Sequence, residues 1–213
     1  MRTIQFPPYL QEGDRVTIIS PAGKIDKNFL KDAKKTLESW GLEVVISKHA
    51  AGEAGRFSGS VKQRTADLQW AMDDESTKAI LCSRGGYGAI HLIDQIDFTK
   101  FRENPKWLLG YSDITLLHEL LQYNGFASVH SPMARHLSVE PKDDVCSLHL
   151  KNLLFGELPT YQSPKHKLNI KGTAKGTLRG GNLSVLYGLR GTPYDFPAEG
   201  TILFIEDIGE RPY

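Results

Sequence analysis

The stretch Trp107-Leu108-Leu109-Gly110-Tyr111-Ser112-Asp113-Ile114-Thr115-Leu116-Leu117-His118 decides the fold class. Its apolar start reads as a buried strand over Trp107 to Gly110, and Leu117 and Leu121 at i, i+4 mark a helix over Ile114 to Tyr123. A strand that turns directly into a helix is half of a βαβ unit, the building block of parallel sheets. The same alternation recurs outward from it. Val16 to Ser20, Glu43 to Ser47, Lys78 to Ser83 and Ala127 to His130 read as strands. Between them, Asp26 to Trp40, a Ser60-capped segment with Val61, Thr65, Leu68 and Met72 on one face, and Ala89 to Ile96 read as helices. Residues 51–59 hold three glycines and read as a mobile loop.

Beyond residue 140 a helix over Val145 to Phe155 leads into Gly156-Glu157-Leu158-Pro159 and a polar stretch, Tyr161 to Lys167. A second unit follows: a strand near Gly176 to Arg179, a Gly180-Gly181-Asn182 turn, a helix to Leu189 and a strand over Thr201 to Ile205. The expected fold class is α/β: an N-terminal parallel-sheet domain over 1–140, a helix and linker over 141–167, and the start of a smaller α/β domain over 168–213. About 45 residues are too few for an α/β core of ordinary size, so this second domain is expected to be incomplete and to expose apolar surface.

Composition narrows the partners. The 213 residues carry 26 basic and 25 acidic side chains, a formal charge of +1, and 40% apolar residues. That balance supplies no field for nucleic acid or an anionic membrane. No window approaches the roughly 18 apolar residues of a membrane span, and the N-terminus has no signal-peptide pattern. The expectation is a cytoplasmic protein, with no nucleic-acid or membrane partner. Cys82 and Cys146 match no metal or redox spacing, and His118-Glu119 lacks a second histidine because position 122 is Gln. No metal is expected.

Three features carry chemistry. Ser112 sits in G-x-S-x-I between strand and helix, the setting of a nucleophile elbow; the alternative is that Ser112 or Asp113 merely caps the helix. Cys82-Ser83-Arg84-Gly85-Gly86-Tyr87-Gly88 follows another strand, and its adjacent glycines can turn N–H groups toward one point as an anion nest or oxyanion-hole arm, or simply make a tight turn. Glu206-Asp207 ends a hydrophobic strand, where a carboxylate orients a catalytic histidine or is merely solvated. No G-x-G-x-x-G is present, which disfavours a nucleotide-dependent reductase.

GDRVTIISPAG at 13–23, SRGGYGA at 83–89, LLGYSDITLLH at 108–118, VHSPM at 129–133, LRGGNLSVLYGLRGTPY at 178–194 and ILFIEDIGERPY at 202–213 together resemble the LD-carboxypeptidase family of serine peptidases, which includes the microcin-immunity peptidases. The resemblance implies a Ser-Glu-His triad at the junction of two domains, acting on murein tetrapeptide during cell-wall recycling, commonly as a homodimer and without cofactor. It makes Ser112 the nucleophile, Glu206 the histidine-orienting acid, the N–H groups of Gly86 and Asp113 the oxyanion hole, and Asn182 a substrate contact. The family's histidine lies downstream of the IED strand, beyond residue 213, so these 213 residues by themselves are expected to be nearly inactive. A peptide–nucleotide antibiotic is the alternative substrate, and a non-catalytic α/β ligand-binding module the alternative class.

Overall fold

The protein is described by a computed structural model covering residues 4–158 and 160–209. Five parallel strands, β1 (Arg15–Ile19), β2 (Glu43–Ile46), β3 (Thr77–Cys82), β4 (Trp107–Gly110) and β5 (Val129–His130), form one sheet in the order β2-β1-β3-β4-β5. The period-2 alternation of β1, β3 and β4 sends their side chains into two separate cores. Val16, Ile18, Ala79, Leu81, Trp107 and Leu109 face one. Ile19, Ile80, Cys82 and Leu108 face the other.

Helices cover both faces, as a buried parallel sheet requires. On the first face lie α1 (Lys27–Glu38), α5 (Ala134–Val139) and α6 (Val145–Leu154), contributing Leu30, Ala33, Leu37, Leu137, Leu150 and Leu154. On the second lie α2 (Val61–Asp73), α3 (Thr99–Glu103) and α4 (Thr115–Tyr123), contributing Leu68, Met72, Phe101, Leu117 and Leu121. Asp26, Ser60 and Asp144 cap α1, α2 and α6, and Ser60 with Gln63 completes a capping box.

A second sheet has two parallel strands, β6 (Thr177–Asn182) and β7 (Thr201–Glu206), joined through α7 (Leu183–Gly188). It docks on α4: the Gln122 side chain donates to Leu178 O (3.2 Å), Arg179 pairs with the buried Glu119, and Asn182 N–H donates to Thr115 Oγ1 (3.0 Å). Leu203, Phe204 and Ile205 of β7 remain exposed, as does Ile208. The expected apolar surface is there.

Several expectations are corrected. Ala89 to Ile96 is not one helix but two 3₁₀ turns, Ala89–His91 and Ile93–Gln95, in which the N–H groups of His91, Leu92 and Gln95 reach back three residues, to the carbonyls of Gly88, Ala89 and Leu92. Gly180-Gly181-Asn182 is the end of β6 and not a turn; a Cβ at Gly181 would meet Thr115 Cγ2 at 2.9 Å, so glycine there lets the strand approach α4. Residues 51–59, expected to be loose, are pinned: Phe57 bridges to Gly23 and Ala54, and Ser58 N–H donates to Ala22 O (3.1 Å). The α2 face buries Arg64 and Asp67 with Leu68 and Met72, leaving Val61 and Thr65 half-buried, because both charged groups find partners inside. Sequence reading missed α3 and α5. Residues 210–213, the end of the IEDIGERPY motif, and Pro159 lie outside the described residues.

Two buried polar groups hold the loops at the carboxyl edge of the sheet. Arg64, 2% exposed, donates through Nη1 to Pro21 O (2.6 Å) and Gly88 O (2.8 Å). His118 bridges Gly110 O (2.9 Å, Nε2) and Ser128 Oγ (2.8 Å, Nδ1); a carbonyl only accepts, so Nε2 carries a proton. Burial pulls its pKa down to about 4. Arg64→Met should destabilise the fold by about 3 kcal/mol in urea unfolding, since two carbonyls lose their donor. His118 folds neutral but titrates normally when unfolded, so the unfolded chain takes up the extra proton between about pH 6.5 and 4. Stability should therefore fall on acidification through that window, by about 3 kcal/mol at its lower end, and His118→Gln should flatten the dependence.

Candidate active site

The turn between β4 and α4 is built around Ser112. Among the described residues it is the one non-glycine with positive φ, at 64°. A helix cap takes extended backbone angles, whereas a left-handed serine at a strand–helix turn lifts its side chain out of both elements. Ser112 opens a short 3₁₀ turn, Ser112–Ile114, that runs into α4. It is half-buried and lines a cavity of about 360 Å³ together with Arg84, Gly85, Gly86, Tyr111 and Arg135. The capping alternative fails for Asp113 as well, because its carboxylate leaves its own helix and accepts from Ala89 N (3.0 Å).

That bond ties the elbow to the glycine loop after β3. Gly85 lies directly against Ser112: a Cβ on it would sit 2.9 Å from Ser112 Cβ and 3.3 Å from Asp113 N. Gly86, at φ 122°, follows in a conformation that L side chains rarely adopt. Gly23 N–H donates to Gly85 O (3.2 Å), so the first βα loop supports the same corner. Burial raises the Asp113 carboxyl above the usual range, against the Ala89 N–H and the Arg64 guanidinium, which favour the ionised form.

The second sheet delivers the remaining candidates. In the β6–β7 register Asn182 stands opposite Glu206, at the strand ends facing the elbow. The Glu206 carboxyl is pushed above its ordinary value by burial and then by Asp207; the Asn182 side chain and the Ser112 backbone N–H act in the opposite direction. Glu206 Oε1 is buried without a hydrogen-bond partner. Asp207 has other work: it accepts from Ser184 N (3.0 Å), Ser184 Oγ (2.7 Å) and Asn182 Nδ2 (3.1 Å), locking the start of α7. Ser112, Asp113, Gly86, Glu206 and Asn182 are thus brought to one corner of the molecule.

Three of the described histidines have partners of their own, although His130 lies against Tyr111 and His136 lines the Ser112 cavity. His118 is buried and bonded at both nitrogens, His130 packs its ring on Phe204 (5.0 Å) and Tyr111 (5.9 Å), and His136 pairs with Asp144. Cys82 is buried, and burial pushes its thiol far up, as expected of an inert strand cysteine. Sequence reading missed Arg84 and Arg135 as cavity residues, and Arg64 as the anchor of the loops. Arg84 belongs to the SRGGYGA stretch at 83–89, and its Nε is buried without a partner.

Comparison with known proteins agrees with this architecture. The sequence model of the LD-carboxypeptidase N-terminal domain matches residues 16–131, and that of the C-terminal domain matches 175–213. The chain is 38% identical to a probable murein peptide carboxypeptidase of Bacillus subtilis (strain 168), over 97% of this chain and 66% of that protein. It is 33% identical to the murein tetrapeptide carboxypeptidase of Pseudomonas aeruginosa, over 93% of this chain and 68% of that protein. It therefore spans about two thirds of the length of these relatives. Among solved structures, an MccF-like protein from Bacillus anthracis str. Ames superimposes with a TM-score of 0.81 at 27% identity, covering 95% of this chain and 70% of that one. A muramoyltetrapeptide carboxypeptidase from Oxalobacter formigenes gives 0.80 at 28% identity, over 92% and 66% of the two chains. A left-handed serine elbow, a glycine loop packed against it and matches to both domains at 16–131 and 175–213 have one common reading: the chain belongs to the LD-carboxypeptidase family.

Proposed function

We propose that this chain carries the nucleophile, oxyanion donors and histidine-orienting acid of a serine carboxypeptidase that releases the terminal D-amino acid from an L,D-linked murein peptide. The observation that supports this most directly is Ser112 at φ 64°, packed beneath Gly85 and beside the Glu206 carboxyl. Ser112 Oγ attacks the scissile carbonyl, and the N–H groups of Gly86 and Asp113 receive the developing oxyanion. A histidine from outside these 213 residues takes the serine proton, passes it to the departing amine, and leans on Glu206, whose unpartnered Oε1 accepts its ring N–H. Water then hydrolyses the acyl-enzyme. The reaction needs neither metal nor organic cofactor.

A carboxypeptidase must also read the substrate's terminal carboxylate. Arg84 and Arg135 line the Ser112 cavity, and guanidinium groups bind carboxylates through paired N–H donors. We assign the carboxylate to these arginines and a second polar contact to Asn182. The domain division at 1–140, 141–167 and 168–213, a cytoplasmic role in cell-wall recycling, and a homodimeric state belong to the same reading.

In a chain extended through the downstream histidine, Ser112→Ala should lower kcat for D-alanine release from an L,D-tetrapeptide by about 10⁶-fold, and Glu206→Gln by about 10⁴-fold, with the fold intact. Equal turnover of wild type and Ser112→Ala would end the serine-peptidase reading. The 213-residue chain should retain only roughly 10³–10⁴-fold catalysis over water. Comparable rates for the short and extended chains would show that one of the described histidines is the base. Gly85→Ala should cost about 10²-fold or more in kcat by displacing Ser112, while leaving the overall fold and its circular dichroism unchanged.

A further inference from the structure

We propose that His136, Asp144 and Cys146 form a binding site for a divalent transition-metal ion of the zinc class, at the rim of the Ser112 cavity. One donor atom from each of the three lies within 4.8 Å of the others. His136 belongs to α5 and lines the cavity, Asp144 caps α6, and Cys146 presents an exposed thiol from the first turn of α6. The site stands on its own residues and is independent of the serine-peptidase reading.

Two observations go beyond an ordinary helix cap. Asp144 Oδ1 already does the capping, accepting from Cys146 N (3.0 Å) and Ser147 N (3.3 Å) and meeting His136 Nε2 at 3.1 Å. Its other oxygen, Oδ2, is buried with no hydrogen-bond partner. A cap requires one oxygen, and a buried carboxylate oxygen without a hydrogen bond is costly, so although the Ser147 side chain also favours the ionised carboxylate, Oδ2 has a lone pair to offer an ion. The thiol is the other surplus donor.

The donor set selects the ion. Imidazole nitrogen, thiolate sulfur and carboxylate oxygen are the ligands zinc takes, whereas calcium and magnesium demand oxygen alone. Zinc bonds of about 2.0–2.3 Å place donors roughly 3–4 Å apart, and His136 Nε2 already stands 3.1 Å from the Asp144 carboxylate at Oδ1, the capping oxygen that Oδ2 accompanies. The Cys146 thiol is exposed and its donor atom lies within 4.8 Å of the other two. Three protein ligands leave the fourth tetrahedral position to water. On binding, the Cys146 thiol releases its proton to solvent, and His136 carries its ring hydrogen on Nδ1 so that Nε2 faces the ion. The bound ion tethers α5 to α6 and fixes the cavity wall that His136 shares with Arg135 and Glu140.

Cobalt(II) titrated into the reduced full chain tests this directly. One ion per chain should bind, with a thiolate-to-cobalt charge-transfer band in the near ultraviolet that zinc displaces. Cys146→Ser, at an exposed position, should keep the circular dichroism of the wild type and lose the band. Asp144→Asn, which retains a capping oxygen, should weaken binding by at least about tenfold. Folded wild type without the band, a band that survives Cys146→Ser, or unchanged affinity in Asp144→Asn would each overturn the proposal.

Discussion

A left-handed backbone at Ser112 is the constraint on which the rest of the site depends. A non-glycine residue there costs on the order of 1–3 kcal/mol and persists only where its surroundings over-determine it. Each neighbour contributes a separate restraint. Gly85 occupies the space directly over the serine, Asp113 holds Ala89 N–H from across the crevice, and His118 grips the carbonyl of Gly110 one residue before the turn begins. Arg64 then ties Gly88 to Pro21, so the loops after β1 and β3 cannot move apart without breaking a buried guanidinium's bonds.

The sheet order explains why these loops meet at all. In a doubly wound sheet the chain reverses direction across the sheet between β1 and β3, and their carboxyl-end loops part to leave a crevice. Here the loops after β1, β3 and β4 fill that corner with backbone carbonyls and glycines, and bulky side chains are set around the rim. Glycine at 85 and 86 is thus a matter of close approach as well as turning.

The smaller sheet approaches from outside this frame. Polar contacts fix its position on α4, Thr115 to Asn182, Gln122 to Leu178 and the buried Glu119–Arg179 pair, while Val185 and Leu189 pack into the core that α4 lines. A buried ion pair contributes little net stability, but breaking it leaves an uncompensated charge, so it specifies one docking geometry against others. The parallel register then carries Glu206 to the elbow alongside Asn182. Asp207, next in sequence, is consumed in capping α7, which leaves Glu206, of the two, with an unpartnered oxygen.

Local pattern alone placed the strands of the five-stranded sheet and the capped helices α1, α2 and α6, because alternation and cap residues act within one turn or one strand. It also singled out Ser112 between LLG and ITLLH, although on local pattern a helix cap remained the commoner description until the φ angle separated them. What pattern could not determine was any feature held by partners distant in the chain. Arg64 and Asp67 were invisible as core because an apolar count ignores charges whose partners lie in other loops. The pinned loop at 51–59 and the strand character of Gly180 and Gly181 likewise depend on contacts with residues 22–24, Thr115 and Phe204. The same holds for His136, Asp144 and Cys146, whose spacing matches no ligand motif. Only the fold of α5 against α6 brings their donors within reach, because side-chain chemistry is encoded residue by residue while proximity is set by packing.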